Sequence, residues 1–410
     1  MKFAIIGCGA QGTTIAKYLA KSPRVTEISL GDISLERAEG LAEKLGSSRV
    51  SAVRCDAGKV KDVLRVARAS DVVVNAVVPV FNLPIMEAAF RAGAAYVDMA
   101  SGPPYENIAK QLAQDDKWRK AGLVALINAG FSPGVTNVLA ACAADKLDRV
   151  DDILILSADK IKPGTKFLEG KEVLWETWSP ETAWLDYVEP PVVYEKGKWK
   201  KVPPFHGEEI YEFPPPCGLA NITCHAHEEV HTLPRFIKGV KNVYVKFGWM
   251  PKALIAKALI ELGLFDEKPI RVKGVEIAPR DFFFKLIRPV PTEEEVISKM
   301  EADAIIDTVK AFIVEVRGRK AGVRTIYKYS PISESYTDFH EAYKKYGRRI
   351  LEQLDVVGVS TAILAHMLGS DEIKARGVYP CEALSYNERS AFLDKLKREG
   401  FAFDEVVVRN

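Results

Sequence analysis

The run Gly7-Cys8-Gly9-Ala10-Gln11-Gly12 constrains this chain more than any other stretch. Three glycines at that spacing, after the apolar run 3–6 and ahead of a helical pattern, describe a strand that turns sharply into a helix. The first glycine permits the turn, the second leaves the backbone bare for close approach, and the third lets the helix lie against the strand. A helix starting there points its amides and the positive end of its dipole at whatever lies over the turn. A diphosphate answers that description, so Gly7, Gly9, Ala10, Gln11 and Gly12 are candidate dinucleotide contacts.

The surrounding pattern extends the motif into a fold. The runs 3–6, 26–30, 50–54, 71–78, 95–98 and 123–127 are rich in Val, Ile and Ala and read as apolar on both faces, as strands of a helix-covered parallel sheet do. Between them lie helical stretches. Leu35, Ala38, Leu41, Ala42 and Leu45 share one face behind Ser34 as cap, and 84–92 has Pro84 near its start and Gly93 past its end. Six strands joined by helices predict α/β architecture, a Rossmann doubly wound parallel sheet.

Beyond about residue 150 the rhythm changes. Residues 152–157 and 242–248 read as strands, and 251–262 as a helix ending at Gly263. The pairs 192–194 with 199–202 about Gly197, and 312–317 with 323–329 about 318–322, read as hairpins. This predicts a second α+β domain built on a largely antiparallel sheet. Residues 179–216 are proline-rich and read as irregular. The helical pattern 355–368, followed by a turn at 377–382, is expected to return to the first domain. The expected division is 1–129 with a returning segment of about 354–410, and 130–353 for substrate binding and dimerisation.

Charge narrows the partners. The 57 basic and 55 acidic residues leave a net +2, which gives no case for nucleic acid or an anionic membrane surface. No apolar run is long enough for a bilayer. The 6 cysteines form no CxxC and read as reduced thiols, and the N-terminus lacks the pattern of a signal peptide, so a cytoplasmic location is expected.

Asp32 ends the second strand, 20 residues after Gly12. An acid there accepts hydrogen bonds from adenosine ribose hydroxyls and repels a 2′-phosphate, which favours NAD over NADP; Arg37 nearby leaves room for NADP. Asp56, after the third strand, is either an adenine contact or a turn aspartate. Asn75, Ala76 and Pro79 lie after the fourth strand, where the cofactor passes along the carboxyl edge of such a sheet, although Pro79 also serves as a plain strand terminator.

Further segments carry a resemblance. Gly130-Phe131-Ser132-Pro133-Gly134, Tyr96-Val97-Asp98-Met99-Ala100-Ser101, Trp178-Ser179-Pro180, Thr232-Leu233-Pro234-Arg235 and Gly377-Val378-Tyr379-Pro380-Cys381-Glu382 follow in order from one end of the chain to the other. Together they resemble the saccharopine dehydrogenase family, which includes saccharopine reductases, carboxynorspermidine dehydrogenases and lysine 6-dehydrogenases. The resemblance implies hydride transfer between nicotinamide and a carbon bonded to nitrogen, in an amino acid or amino-acid conjugate. It also implies a homodimer formed through the second domain and a role in amino-acid metabolism. Ser132 departs from the Asp usual in the saccharopine and carboxynorspermidine types and points toward lysine dehydrogenases. The His-Glu-Leu-Pro-Arg region points the other way.

Oxidising a C–N bond needs a neutral nitrogen and a group to move its proton. Asp98 and Ser101, at the end of the fifth strand, are candidates for that work or for a strand-end turn. Asn128 and Asn137 flank the glycine-rich loop, either to bind substrate or to cap turns. His225, His227 and His231 form the chain's histidine cluster; the resemblance favours His227, Glu229 and Arg235 as substrate-site residues, against a solvated polar loop. The run His227-Glu228-Glu229-Val230-His231 also spells H-E-x-x-H, so a zinc hydrolase is a rival. Pro234 and the preceding Ile222-Thr223 leave little room for the helix it needs, no third ligand stands out, and no metal is expected. A non-catalytic NAD-binding protein is the remaining alternative.

Overall fold

The computed structural model describes residues 1–162, 172, 179–332, 338–348 and 355–409. Trp178 of the Trp-Ser-Pro segment lies outside them. The chain divides into two units. Met1–Arg149, His231–Gly239 and Asp355–Ala402 form the first, and Val150–Val230, Val240–Leu354 and Phe403–Asn410 the second.

In the first unit the expected alternation is present. β1 (Lys2–Ile6), α1 (Ala10–Lys21), β2 (Glu27–Asp32), α2 (Leu35–Leu45), β3 (Val50–Arg54) and α3 (Val60–Ala67) form one half. β4 (Val72–Asn75), α4 (Asn82–Ala92), β5 (Ala95–Asp98), α5 (Glu106–Leu112), α6 (Asp115–Lys120), β6 (Val124–Ile127) and α7 (Val135–Ala144) continue the other. Ser34 caps α2 by accepting the Arg37 N–H, and Gly46 and Gly93 close α2 and α4 in the left-handed conformation.

The second unit begins with β7 (Arg149–Ile161), α8 (Pro180–Val188), β8 (Val192–Glu195), β9 (Lys198–Lys201), β10 (Glu209–Glu212) and β11 (Leu219–Cys224). α9 (Glu229–Phe236) follows; its first two residues belong to the second unit and the rest to the first. Then come β12 (Asn242–Trp249), α10 (Lys252–Glu261), β13 (Ile270–Val272), β14 (Val275–Ile277), α11 (Pro279–Leu286), α12 (Glu293–Glu301), β15 (Thr308–Lys320), β16 (Val323–Ile332) and α13 (Phe339–Tyr346). The chain ends with α14 (Val356–Gly369), β17 (Gly377–Pro380) and α15 (Tyr386–Arg398) in the first unit, and β18 (Ala402–Arg409).

The first sheet runs β17-β6-β5-β4-β1-β2-β3, with every pairing parallel. Its inner strands β4, β5 and β6 are buried along their whole length because helices cover both faces, and residues such as Ala4, Ile6, Val73, Tyr96, Ala125 and Trp118 form a continuous core. The order reverses between β1 and β4, which is the switch point where ligands bind such sheets. The second sheet is mixed. β12 pairs with β7 in parallel, while the pairings of β11 with β12, β8 with β9 and β15 with β16 are antiparallel.

Three local expectations need correction. The segment at 377–382 is not simply a turn, because 377–380 is a seventh parallel strand beside β6; its four residues between Gly377 and Cys381 were too short to show a period. Residues 179–216 hold a helix and three strands. Pro180 occupies the first helical turn, where a missing N–H costs nothing, and the Ser179 hydroxyl accepts the Thr182 N–H, so proline there begins a helix. The later hairpin is tighter than the span 318–322, since Lys320 pairs with Val323 around the two-residue turn Ala321-Gly322. Both turn residues have positive φ, 48° and 79°, the backbone that matches strand twist in a two-residue hairpin.

Candidate functional site

The glycine turn is built from backbone. Gly7 adopts φ 102° and donates its N–H to the Gly31 carbonyl at 2.7 Å, tying the end of β1 to β2. A Cβ on Gly12 would stand 1.9 Å from the Gly7 carbonyl oxygen, so only glycine lets α1 start this close to β1. A Cβ on Gly9 would meet nothing within 4 Å. That bare backbone sits at the N-cap of α1, whose first turn carries no acid. The neighbouring Cys8 thiol is pushed up to about 12 by burial and by Asp32, so no thiolate competes with an anion there. Space, helix dipole and a first helical turn without an acid together fit a pyrophosphate.

Asp32 is 6% exposed. One oxygen accepts the Cys8 N–H at 2.8 Å and the other the Ser34 N–H at 2.9 Å. The Arg37 guanidinium approaches to 3.5 Å. A carboxylate has about four lone-pair sites, so the two main-chain contacts fix the group, and a ribose hydroxyl can take a further site beside the long Arg37 contact. Gln11 turns elsewhere, bonding to Asp355 at the start of α14 together with Thr14. Ala76 donates its N–H to the Ile6 carbonyl at 2.8 Å. Asp56 makes a turn, accepting the Gly58 N–H at 3.0 Å and pairing with Lys59, and these two partners hold its carboxyl low.

Asn75 and Asp98 belong to one buried network. Asn75 accepts the Val77 N–H at 3.1 Å and donates to Asn82 at 2.8 Å and to the Tyr96 hydroxyl at 3.1 Å. Asp98 is 1% exposed and accepts from Tyr96 at 2.9 Å, Gln111 at 2.6 Å, Asn82 at 3.3 Å and the Asn128 N–H at 2.8 Å. Its bonds tie the end of β5 to α4, to α5 and to the residue after β6, which is positioning work. Pro79 opens a short 3₁₀ turn and its carbonyl accepts from Asn107 at 3.1 Å. Ser101 is buried in the loop after β5.

The glycine-rich loop links β6 to α7. Gly134 has φ 131°, a Cβ there would lie 2.1 Å from the Gly130 carbonyl oxygen, and its N–H is accepted by Asn137 at 2.9 Å. Asn137 also donates to the Thr232 hydroxyl at 3.3 Å. His231 stacks on Tyr105, with ring centres 5.4 Å apart and planes 10° from parallel. Arg235 is exposed, and its Nε donates to the His231 carbonyl at 2.9 Å.

The second unit contributes a charged cluster at the exit of β11. The His227 Nδ1 hydrogen-bonds Glu229 and lies 3.4 Å from Glu228. Burial alone would pull this imidazole down; Glu229, Glu228 and Asp186 outweigh it and lift His227 to about 9. His225, two residues earlier, is held well below its ordinary value by burial and by the nearby His227. His227 is therefore an imidazolium at neutral pH and His225 a neutral ring.

Sequence reasoning missed the Tyr96–Gln111–Asn82 hub and Asp186. Asp186 lies on α8, and the Ser179-Pro180 start was its available signal. Pro234 sits inside α9 and does not prevent it. The carbonyl its missing N–H leaves behind, that of Val230, accepts from Trp199 Nε1 at 3.0 Å. The zinc pattern needs both imidazoles on one helix, but the helix begins at Glu229, after His227.

Family models match the chain along nearly its whole length. A model of the saccharopine dehydrogenase NADP binding domain matches residues 3–126, and one of the saccharopine dehydrogenase C-terminal domain matches 130–401. The chain belongs to the saccharopine dehydrogenase family. It is 26% identical over 418 residues to a carboxyaminopropylagmatine dehydrogenase of Synechocystis sp., covering 99% of this chain and 98% of that one. It is 25% identical over 426 residues to a carboxynorspermidine synthase of Vibrio cholerae, covering 98% and 96%. In fold it is similar to the saccharopine dehydrogenase (L-Glu forming) of Saccharomyces cerevisiae, with a TM-score of 0.67, 14% identity and 99% of each chain covered. As a member of this family the chain is a nicotinamide-dinucleotide-dependent oxidoreductase. Among the described residues no helix is long and apolar enough to cross a membrane.

Proposed function

We propose that this enzyme transfers a hydride at a C–N bond of an amino-acid conjugate, with the nitrogen proton handled by His227. The observation that carries the reading is the buried His227–Glu229 pair, an imidazolium of about 9 held by a carboxylate. In the reductive direction it protonates the imine nitrogen; in the oxidative direction the neutral ring takes that proton back. The dinucleotide, when bound, supplies or accepts the hydride. Gly9 and the first turn of α1 receive its pyrophosphate, and Asp32 receives its ribose and favours NAD over NADP. Arg235 is assigned to a substrate carboxylate, which a guanidinium grips through two parallel hydrogen bonds.

The substrate class follows from the relatives. Two proteins aligned along nearly the whole chain are named for carboxylated polyamines. A conjugate of that kind is our first choice, saccharopine the second, and L-lysine, suggested by Ser132, the third. We also propose a homodimer and a reducing, cytoplasmic setting. The first is supported by the exposed apolar side chains Ile270, Val272, Val275, Phe282 and Leu286 in the second unit, the other by six unpaired cysteines.

The test is spectroscopic. Reduction of NAD(P) is followed with carboxynorspermidine, carboxyaminopropylagmatine, saccharopine and L-lysine. Turnover confined to the conjugates supports the proposal. Turnover confined to lysine makes Ser132 the better guide, and dinucleotide binding with no turnover on any amine overturns the C–N assignment.

A further inference from the structure

Asn128 ends the strand run of β6 at φ 57°, a left-handed conformation that Asn tolerates better than most side chains. Its main chain is fully engaged. The N–H is accepted by Asp98 at 2.8 Å, and the carbonyl accepts the Cys381 thiol at 3.6 Å. The side chain is the opposite case. It is fully buried, and neither Oδ1 nor Nδ2 has a hydrogen-bond partner. Native structures seldom keep a buried amide with both ends unmade unless something else completes it.

Its place in the sheet says what that is. Asp32, ending β2, marks the adenosine side of the switch point. The other half of a dinucleotide must then run over the carboxyl ends of β4, β5 and β6. Asn128 stands at the last of these, three strand spacings or about 14 Å from β1.

We infer that Asn128 binds the carboxamide of the nicotinamide ring, pairing amide to amide. The inference rests on the dinucleotide assignment and goes beyond it. A carboxamide offers one acceptor and one donor in a plane, so a single partner satisfies both Nδ2 and Oδ1. A substrate carboxylate would accept from Nδ2 only and set its charge against Oδ1. The amide is covered in this structure, so pairing requires the side chain to take another χ1 rotamer that carries it toward the strand edge, while its broad terminal torsion sets the plane of the amide. The pair would fix which face of the ring is presented to the substrate.

Binding measurements separate this from a structural role. Asn128→Gly keeps the left-handed backbone and removes the amide. The expected result is NADH affinity reduced about tenfold, with ADP-ribose, which lacks the ring, bound within about twofold of the unaltered protein. The melting temperature of the free variant should fall by no more than the small loss that added backbone freedom brings. In the unaltered protein, nicotinic acid adenine dinucleotide should bind about tenfold more weakly than NAD, and the variant should lose that discrimination. Unchanged NADH affinity overturns the inference. Equal weakening of NADH and ADP-ribose with a lower melting temperature also overturns it, by making the amide a structural element. Failure of ADP-ribose to bind the unaltered protein would instead remove the dinucleotide assignment on which it rests.

Discussion

The edge around Gly9 and the cluster around His227 assemble chemistry in different ways. At the glycine edge the groups that matter are main-chain amides, a helix dipole and the absence of side chains. At His227 they are side chains whose protonation is set by three carboxylates drawn from two helices and the loop between strand and helix. A site made of backbone leaves a spacing in the sequence. A site made of electrostatics leaves only residue types, which recur throughout any chain. The first site should therefore fail through geometry, the second through charge.

Two glycines three residues apart give the strongest test. Gly12→Ala places a methyl group 1.9 Å from the Gly7 carbonyl, and backbone cannot move aside without displacing α1. Dinucleotide binding should be abolished and stability should fall by about 3 kcal/mol or more. Calorimetry and NADH titration read both losses. Gly9→Val has room and an ordinary φ of −75°, so its melting temperature should stay within a few degrees. Its branched side chain would fill the position proposed for the pyrophosphate, and NADH affinity should fall by about a hundredfold or more. If the two variants behaved alike, the distinction between a packing glycine and an approach glycine would be lost.

The corresponding break in the other region is His227→Gln. It should lower kcat by about 10²- to 10⁴-fold while leaving NADH affinity unchanged. A matched loss of cofactor binding would show that the cluster acts through the fold. Its stability signature has a definite sign. The imidazole of the folded protein is raised to about 9 from 6.5, so its stabilising contribution is complete below about 6.5 and is lost as pH rises through 9. Thermal unfolding between pH 6 and 9.5 should show this decline in the parent and a flatter profile in the variant.

The same contrast explains what could be read in advance. The six strands, the Ser34 cap, Gly93 and the Gly7–Gly12 turn each rest on local rules of covalent geometry, and all are present. Strand β17 could not be found that way, because four residues are too few for a period and their partner, β6, lies some 250 positions earlier. Asp98 was visible as a strand-end acid, but its four donors come from residues 82, 96, 111 and 128, brought together only by the parallel sheet. Asp186 is hidden in the sequence because the proline-rich stretch 179–216 reads as irregular, whereas Pro180 stands where a helix starts.

Asp32 stands between the two kinds of site, and its replacement should have the smallest effect. Its main-chain partners Cys8 and Ser34 make it part of the backbone geometry, while its charge is proposed to meet the ribose. Asp32→Ala removes the repulsion toward a 2′-phosphate and releases Arg37, whose guanidinium lies 3.5 Å away and can then meet that phosphate. The ratio of kcat/KM for NAD to that for NADP should fall by about tenfold, about 1.4 kcal/mol, with the parent preferring NAD. A parent that already prefers NADP, or a ratio that does not move, would mean that Asp32 serves the turn alone. Both of its oxygens would then be committed to holding Cys8 and Ser34, and cofactor choice would rest on side chains beyond this carboxylate.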